Sequence, residues 1–154
     1  MVDKESKYRE LIPKIESLIS GEFDSVSKLA NAAAAIHDEL GFFWTGFYMV
    51  KGDKLVLGPF QGSVACYTIK YGKGVCGTTW KEKRTTVVAD VEKFPGHIAC
   101  DSRSHSEITV PIINSNNEVT GVLDIDSDET DTFDETDKRY LETIAKIIAD
   151  AIEG

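Results

Sequence analysis

No long apolar run occurs in these 154 residues. A helical membrane span needs roughly 20 such residues in succession, so a spanning helix is not expected. Basic residues are in deficit as well: 17 lysines and arginines face 26 aspartates and glutamates, a formal net charge of -9. Docking on a phosphate backbone or an anionic bilayer needs a basic face, so neither nucleic acid nor membrane is an expected partner. The first residues, Met1-Val2-Asp3-Lys4-Glu5, lack the basic start and apolar stretch of a secretory leader, and a cytoplasmic location is expected. Cysteine is scarce and odd in number, three in all, which argues against a disulfide framework in a reducing compartment. Repeats and interdomain linkers are missing too, so one domain over residues 1–154 is expected.

What is present is periodic. Tyr8, Leu11, Ile12, Ile15, Leu18 and Ile19 recur at helical spacing and predict an amphipathic helix over 4–20. Asp24 is placed to cap a second helix that carries Val26, Leu29, Ala30, Ala33, Ile36 and Leu40 on one face, with Gly41 closing it. Strands are then expected over 42–50, 54–60, 67–69 and 85–89, with a short helix over about 74–83 after Gly72-Lys73-Gly74. A long connection over 91–105 follows, and a loop of that length inside a compact fold is usually functional. Two more strands, 106–113 and 118–127, flank Asn114-Ser115-Asn116-Asn117, and Asp134 caps a last helix with Leu141, Ile144, Ile148 and Ile152. The order gives an α+β fold in two layers: an antiparallel sheet of five or six strands with the N- and C-terminal helices on one face.

The last hairpin carries the sharpest local inference. With Asn116 and Asn117 at the turn centre, paired residue numbers sum to 233, so Glu107 faces Asp126 and Thr109 faces Asp124. Asp124 and Asp126 are two apart and share a face, so three carboxylates converge on one side of an otherwise apolar strand pair. A solvent-facing strand surface is one reading of that cluster. The other is a pocket that needs negative charge, for a metal ion, an ammonium group, or one acid kept protonated by its neighbours.

The cysteines have distinct settings. Cys76 falls near the start of the short helix, where the helix dipole favours a thiolate. Cys66 follows Gln61-Gly62, and Cys100 lies on the long loop near His97 and Arg103, either of which lowers its pKa when folded inward. Zinc binding by the three cysteines with His97 or His105 is the competing reading. The cysteine spacings of 10 and 24 lack the close pairs of structural zinc sites, so no metal site is expected. Gly72 and Gly74 have no G-K-[ST] continuation and read as a tight turn.

Several blocks resemble one family. Gly58-Pro59-Phe60-Gln61-Gly62, Ala65-Cys66, Gly72-Lys73-Gly74-Val75-Cys76-Gly77 and Phe94-Pro95-Gly96-His97-Ile98-Ala99-Cys100-Asp101 are similar to the signature blocks of the free methionine-(R)-sulfoxide reductases, as are Ser106-Glu107-Ile108 and Leu123-Asp124-Ile125-Asp126-Ser127. The likeness covers nearly the whole chain and matches every cysteine spacing; Thr79-Trp80 is bulkier than the small residues expected there. It implies a GAF fold and reduction of the R epimer of free methionine sulfoxide. By that resemblance Cys100 is the attacking thiolate, Cys66 resolves its sulfenic acid to a disulfide, and Cys76 is an alternative or secondary resolver. Glu107 and Asp126 then serve the sulfoxide end, Asp124 the substrate ammonium, and Trp44 and Tyr48 the pocket wall. No bound cofactor is implied; thioredoxin or another dithiol restores the thiols, and the family suggests a homodimer. The rival reading is a GAF domain that senses a small ligand without catalysis.

Overall fold

A computed structural model describes residues 3–98 and 100–153. Helix α1 spans Lys4–Leu18, with Asp3 as its N-cap. Helix α2 spans Ser25–Leu40; the Asp24 carboxylate accepts from the Val26 N–H, and Gly41 ends the helix at φ 69°. Strands β1 (Trp44–Lys51), β2 (Lys54–Gln61) and β3 (Thr68–Lys70) follow. Helix α3 covers Gly74–Glu82 and leads to β4, Thr86–Val88. The long connection contains one 3-10 turn, Val91–Lys93, and ends at β5, Ser106–Ile113. Strand β6, Val119–Ser127, and helix α4, Glu135–Glu153, complete the described chain.

The six strands form one sheet in the order β3-β2-β1-β6-β5-β4, and each neighbouring pair is antiparallel. Alternation along the central strands divides the molecule. Phe47, Ile108, Val110, Ile112, Leu123 and Ile125 point to one face, where they pack with Tyr8, Leu11 and Ile15 of α1, Ile36 of α2 and Leu141, Ile144 and Ile148 of α4. Helices α1, α2 and α4 therefore lie on one side, as the sequence pattern predicts. Helix α3 differs: it packs over the opposite face, where Cys76 and the ring of Trp80 join Trp44, Tyr48 and Val122. The sheet is thus partly covered on both sides, not one.

The β5–β6 register is the expected one where it matters, with Glu107 opposite Asp126 and Thr109 opposite Asp124. The turn is centred differently. Ile113 faces Val119 while Ile112 faces Gly121, so the connection is one residue tighter than assumed and a bulge in β6 restores the count. Asn117 takes the left-handed conformation at φ 61°, which asparagine tolerates better than most residues.

Thr79 and Trp80 both find partners on the short helix. The buried Thr79 hydroxyl bonds to the hydroxyls of Thr86 and Thr109, and the Trp80 ring meets Tyr71 edge-on at 4.8 Å.

Candidate active site

The face opposite the three long helices is hollowed, and one glycine accounts for part of that. A Cβ at Gly46 of β1 would run into Phe60 Cβ and the Trp44 ring, so only glycine lets the indole lie flat there. Trp44 stacks on Phe60 at 5.1 Å and on Tyr48 at 6.2 Å. Its Nε1 donates to the Ser63 carbonyl at 2.9 Å, and the Tyr48 hydroxyl donates to the Cys66 carbonyl at 2.9 Å. The aromatic wall on β1 is thereby tied to the segment that carries Cys66.

The cleft floor comes from β5 and β6. Glu107, Asp124 and Asp126 are 6 %, 6 % and 8 % exposed, so the solvent-facing alternative does not hold. Burial first, and neighbouring carboxylates second, raise all three well above the usual carboxylate range. Oδ1 of Asp124 is buried without a hydrogen-bond partner among the described residues. Burial also pushes the Tyr48 phenol up, with Asp124 adding to it.

Cys76 reverses an expectation. It sits on the first turn of α3, but it is only 3 % exposed. Burial, then the Asp124 and Glu107 carboxylates, push its thiol well up, so the helix dipole is outweighed and the thiol stays protonated. Its Sγ lies 4.0 Å from Glu107 Oε2. Cys76, Glu107 and Asp124 bring one sulfur and two oxygens within 4.8 Å of one another, a donor set that the cysteine spacing alone does not register. A cation with two carboxylates and a thiolate would fit that set; so would a substrate ammonium group against the acids.

Cys66 and Cys100 are joined in a disulfide with Cα atoms 5.4 Å apart, and Cys76 is free. Cys66 is half-buried and Cys100 exposed at the mouth of the cleft. The paired sulfurs also remove the zinc reading that used all three cysteines, in this oxidation state. Trp44, Tyr48, Cys76, Cys100, Glu107, Asp124 and Asp126, named from the sequence, all line this one cleft, and Cys66 reaches it through its bond to Cys100. His97 lines it too, and burial lowers its pKa.

Arg103 does not serve Cys100 as expected. Its guanidinium is held by both oxygens of Asp101, at 3.1 and 2.9 Å. Sequence reasoning missed Asp101 and Ser63 as site residues, because their contact joins positions far apart in the chain; the adjacency of Asp101 to Cys100 was the available signal.

A GAF-domain family model matches residues 24–153. The chain is 51% identical to GAF domain-containing protein A of Dictyostelium discoideum, over 94% of this chain and 92% of that protein. It is 43% identical to the free methionine-R-sulfoxide reductase of Saccharomyces cerevisiae, over 96% and 86% of the two chains. The crystal structure of free methionine-R-sulfoxide reductase from Neisseria meningitidis, solved in complex with its substrate, superposes with a TM-score of 0.96 at 49% identity, over 99% of this chain and 92% of that one.

Proposed function

This chain belongs to the GAF-domain family of free methionine-R-sulfoxide reductases, and from that premise we propose that it reduces free L-methionine-(R)-sulfoxide to methionine through Cys100, with Cys66 as the resolving thiol. The observation that carries the reading is the Cys66–Cys100 disulfide at the mouth of a cleft floored by three buried carboxylates. In the reduced enzyme the Cys100 thiolate attacks the sulfoxide sulfur. The sulfoxide oxygen takes a proton and passes to Cys100 as a sulfenic acid, and methionine leaves with the electron pair on its sulfur. Cys66 then attacks the sulfenic sulfur, the S–S bond forms, and the oxygen departs as water. Two electrons and two protons from thioredoxin, or another dithiol, regenerate the thiols. No bound cofactor enters this cycle.

The acids divide the remaining work. Glu107, with Asp126 beside it, has its pKa raised by burial and by the neighbouring Asp124 carboxylate, which favours the protonated acid as the donor to the sulfoxide oxygen. Asp124, with its unpartnered oxygen, receives the substrate ammonium, whose positive charge offsets the repulsion among the three acids. The Trp44 indole forms a wall for the substrate methyl group, with Tyr48 behind it. Cys76, buried and protonated, is a poor nucleophile in this state, which supports Cys66 over Cys76 as first resolver. One domain spanning 1–154, a cytoplasmic setting and a homodimer are part of the same reading. The apolar faces of α1 and α4 are taken up by the core, whereas Leu18, Phe23 and Val26 are exposed and are available for pairing.

A single-turnover assay without reductant tests the assignment of roles. Cys100→Ser is expected to form no methionine, while Cys66→Ser forms one methionine per site and then stalls when thioredoxin is supplied. Loss of the first turnover in Cys66→Ser would reverse the order of nucleophile and resolver.

A further inference from the structure

The disulfide joins two loops that share no strand pairing, one after β2 and one before β5, at a sequence separation of 34. A second set of contacts ties the same two loops. The Ser63 hydroxyl, three residues before Cys66, donates to Asp101 Oδ2 at 2.6 Å. Asp101, next to Cys100, also accepts from the Arg103 backbone N–H at 2.9 Å and from both the Nε and Nη2 atoms of Arg103. The guanidinium then lies 5.1 Å from the centre of the Phe43 ring. Trp44 reaches the same place, since its Nε1 donates to the Ser63 carbonyl. One connected set of contacts thus runs from the start of β1 through both cysteine segments. None of Ser63, Asp101 and Arg103 has a proton-transfer or nucleophilic task in the reaction above.

We propose that Ser63, Asp101 and Arg103 form a positioning clamp that holds the Cys66 and Cys100 segments in register and so sets the effective concentration of one sulfur toward the other. Joining two loops costs conformational entropy, which a contact made in advance removes. The clamp suits that task, because its bonds are charge-assisted and the Arg103 pair uses both oxygens of one carboxylate. Those bonds also hold the Asp101 carboxyl far below its ordinary range, so it remains an acceptor at every pH at which the thiols react. The consequence for the disulfide follows from geometry alone. The further consequence, that the clamp speeds attack of Cys66 on a Cys100 sulfenic acid, rests on the reading under Proposed function.

The test is a redox titration of the Cys66–Cys100 pair in dithiothreitol buffers, with no substrate present. Ser63→Ala and Asp101→Asn are expected to weaken the disulfide about tenfold, a potential roughly 30 mV less negative than wild type. Ser63→Thr keeps the hydroxyl and is expected to restore the wild-type value, which a general loosening of the fold would not do. Arg103→Lys alters only an exposed side chain, keeps the charge but loses the two-pronged geometry, and is expected to shift the potential less in the same direction. Should the other variants fail to fold, Arg103→Lys still decides the matter. Equilibrium constants within twofold of wild type in the folded variants would overturn the clamp. Trapping of the sulfenic acid with dimedone, after one equivalent of methionine sulfoxide, then reads the kinetic consequence; longer-lived sulfenic acid is expected in Ser63→Ala. A shifted potential together with no methionine from the wild type would overturn the functional reading and leave the clamp standing.

Discussion

At the scale of single residues, the cleft places chemistry ahead of stability. Three carboxylates and a thiol share a buried face, and such a group is destabilising unless protons or a cation neutralise it. The acids have folded-state pKa values above their unfolded ones, so their contribution favours folding in acid and fades as pH rises through the raised values. Asp124→Asn removes one member of the set. Its melting temperature is expected to match wild type in acid and to exceed it near pH 8, by about 2–4 °C for each 1 kcal/mol relieved. The same variant is expected to bind substrate more weakly, raising KM more than it lowers kcat. A melting temperature below wild type at both pH values would contradict this view of the cleft. The identity of these residues was legible in the sequence because register is a matter of counting. The state of Cys76 was not: its place on a helix first turn is visible in one dimension, whereas its burial against Asp124 and Glu107 requires α3 to be folded over β5 and β6.

At the scale of elements, the helical layer is held by a staple far from the cleft. Asp137, fully buried at the start of α4, accepts from the Tyr8 hydroxyl at 2.6 Å and from Lys4 Nζ at 2.6 Å. It also accepts from the Asp134 N–H, while the Asp134 side chain caps the same helix from the other direction. These bonds pin the N-terminal half of α1 to the first turn of α4. Asp137→Ala leaves the buried Tyr8 phenol without its acceptor and takes one of its partners from the half-buried Lys4, which keeps the Thr132 carbonyl, and is expected to cost about 2–3 kcal/mol. Tyr8→Phe removes one hydrogen bond and is expected to cost about 1 kcal/mol. Denaturant unfolding of both variants measures the pair, and near-equal losses would contradict the ranking. Helix and strand positions were legible because caps such as Asp24 and Gly41 and the two hydrophobic periods are local signals. The bulge in β6 was not, since it depends on how Thr120 and its neighbours pack once β1 is beside them. The placement of α3 across the sheet was hidden for the same reason: a nine-residue helix with small residues on several sides does not announce which face it covers.

At the scale of the whole molecule, the sheet separates stability from chemistry. One face carries the large apolar core with α1, α2 and α4; the other carries the cleft, α3 and the disulfide-bearing loops. Changes in the cleft are therefore expected to alter turnover with small effects on folding, and changes in the core the reverse. The family resemblance was legible from the cysteine-bearing blocks, and the structure adds the link those blocks omit, the contact of Ser63 with Asp101 that brings their segments together. The most direct test of the central claim is methionine formation from racemic free methionine sulfoxide, with the purified protein and excess dithiothreitol. The R half of the racemate is expected to be converted to methionine and the S half left intact; absence of methionine, or consumption of both epimers, would contradict the account.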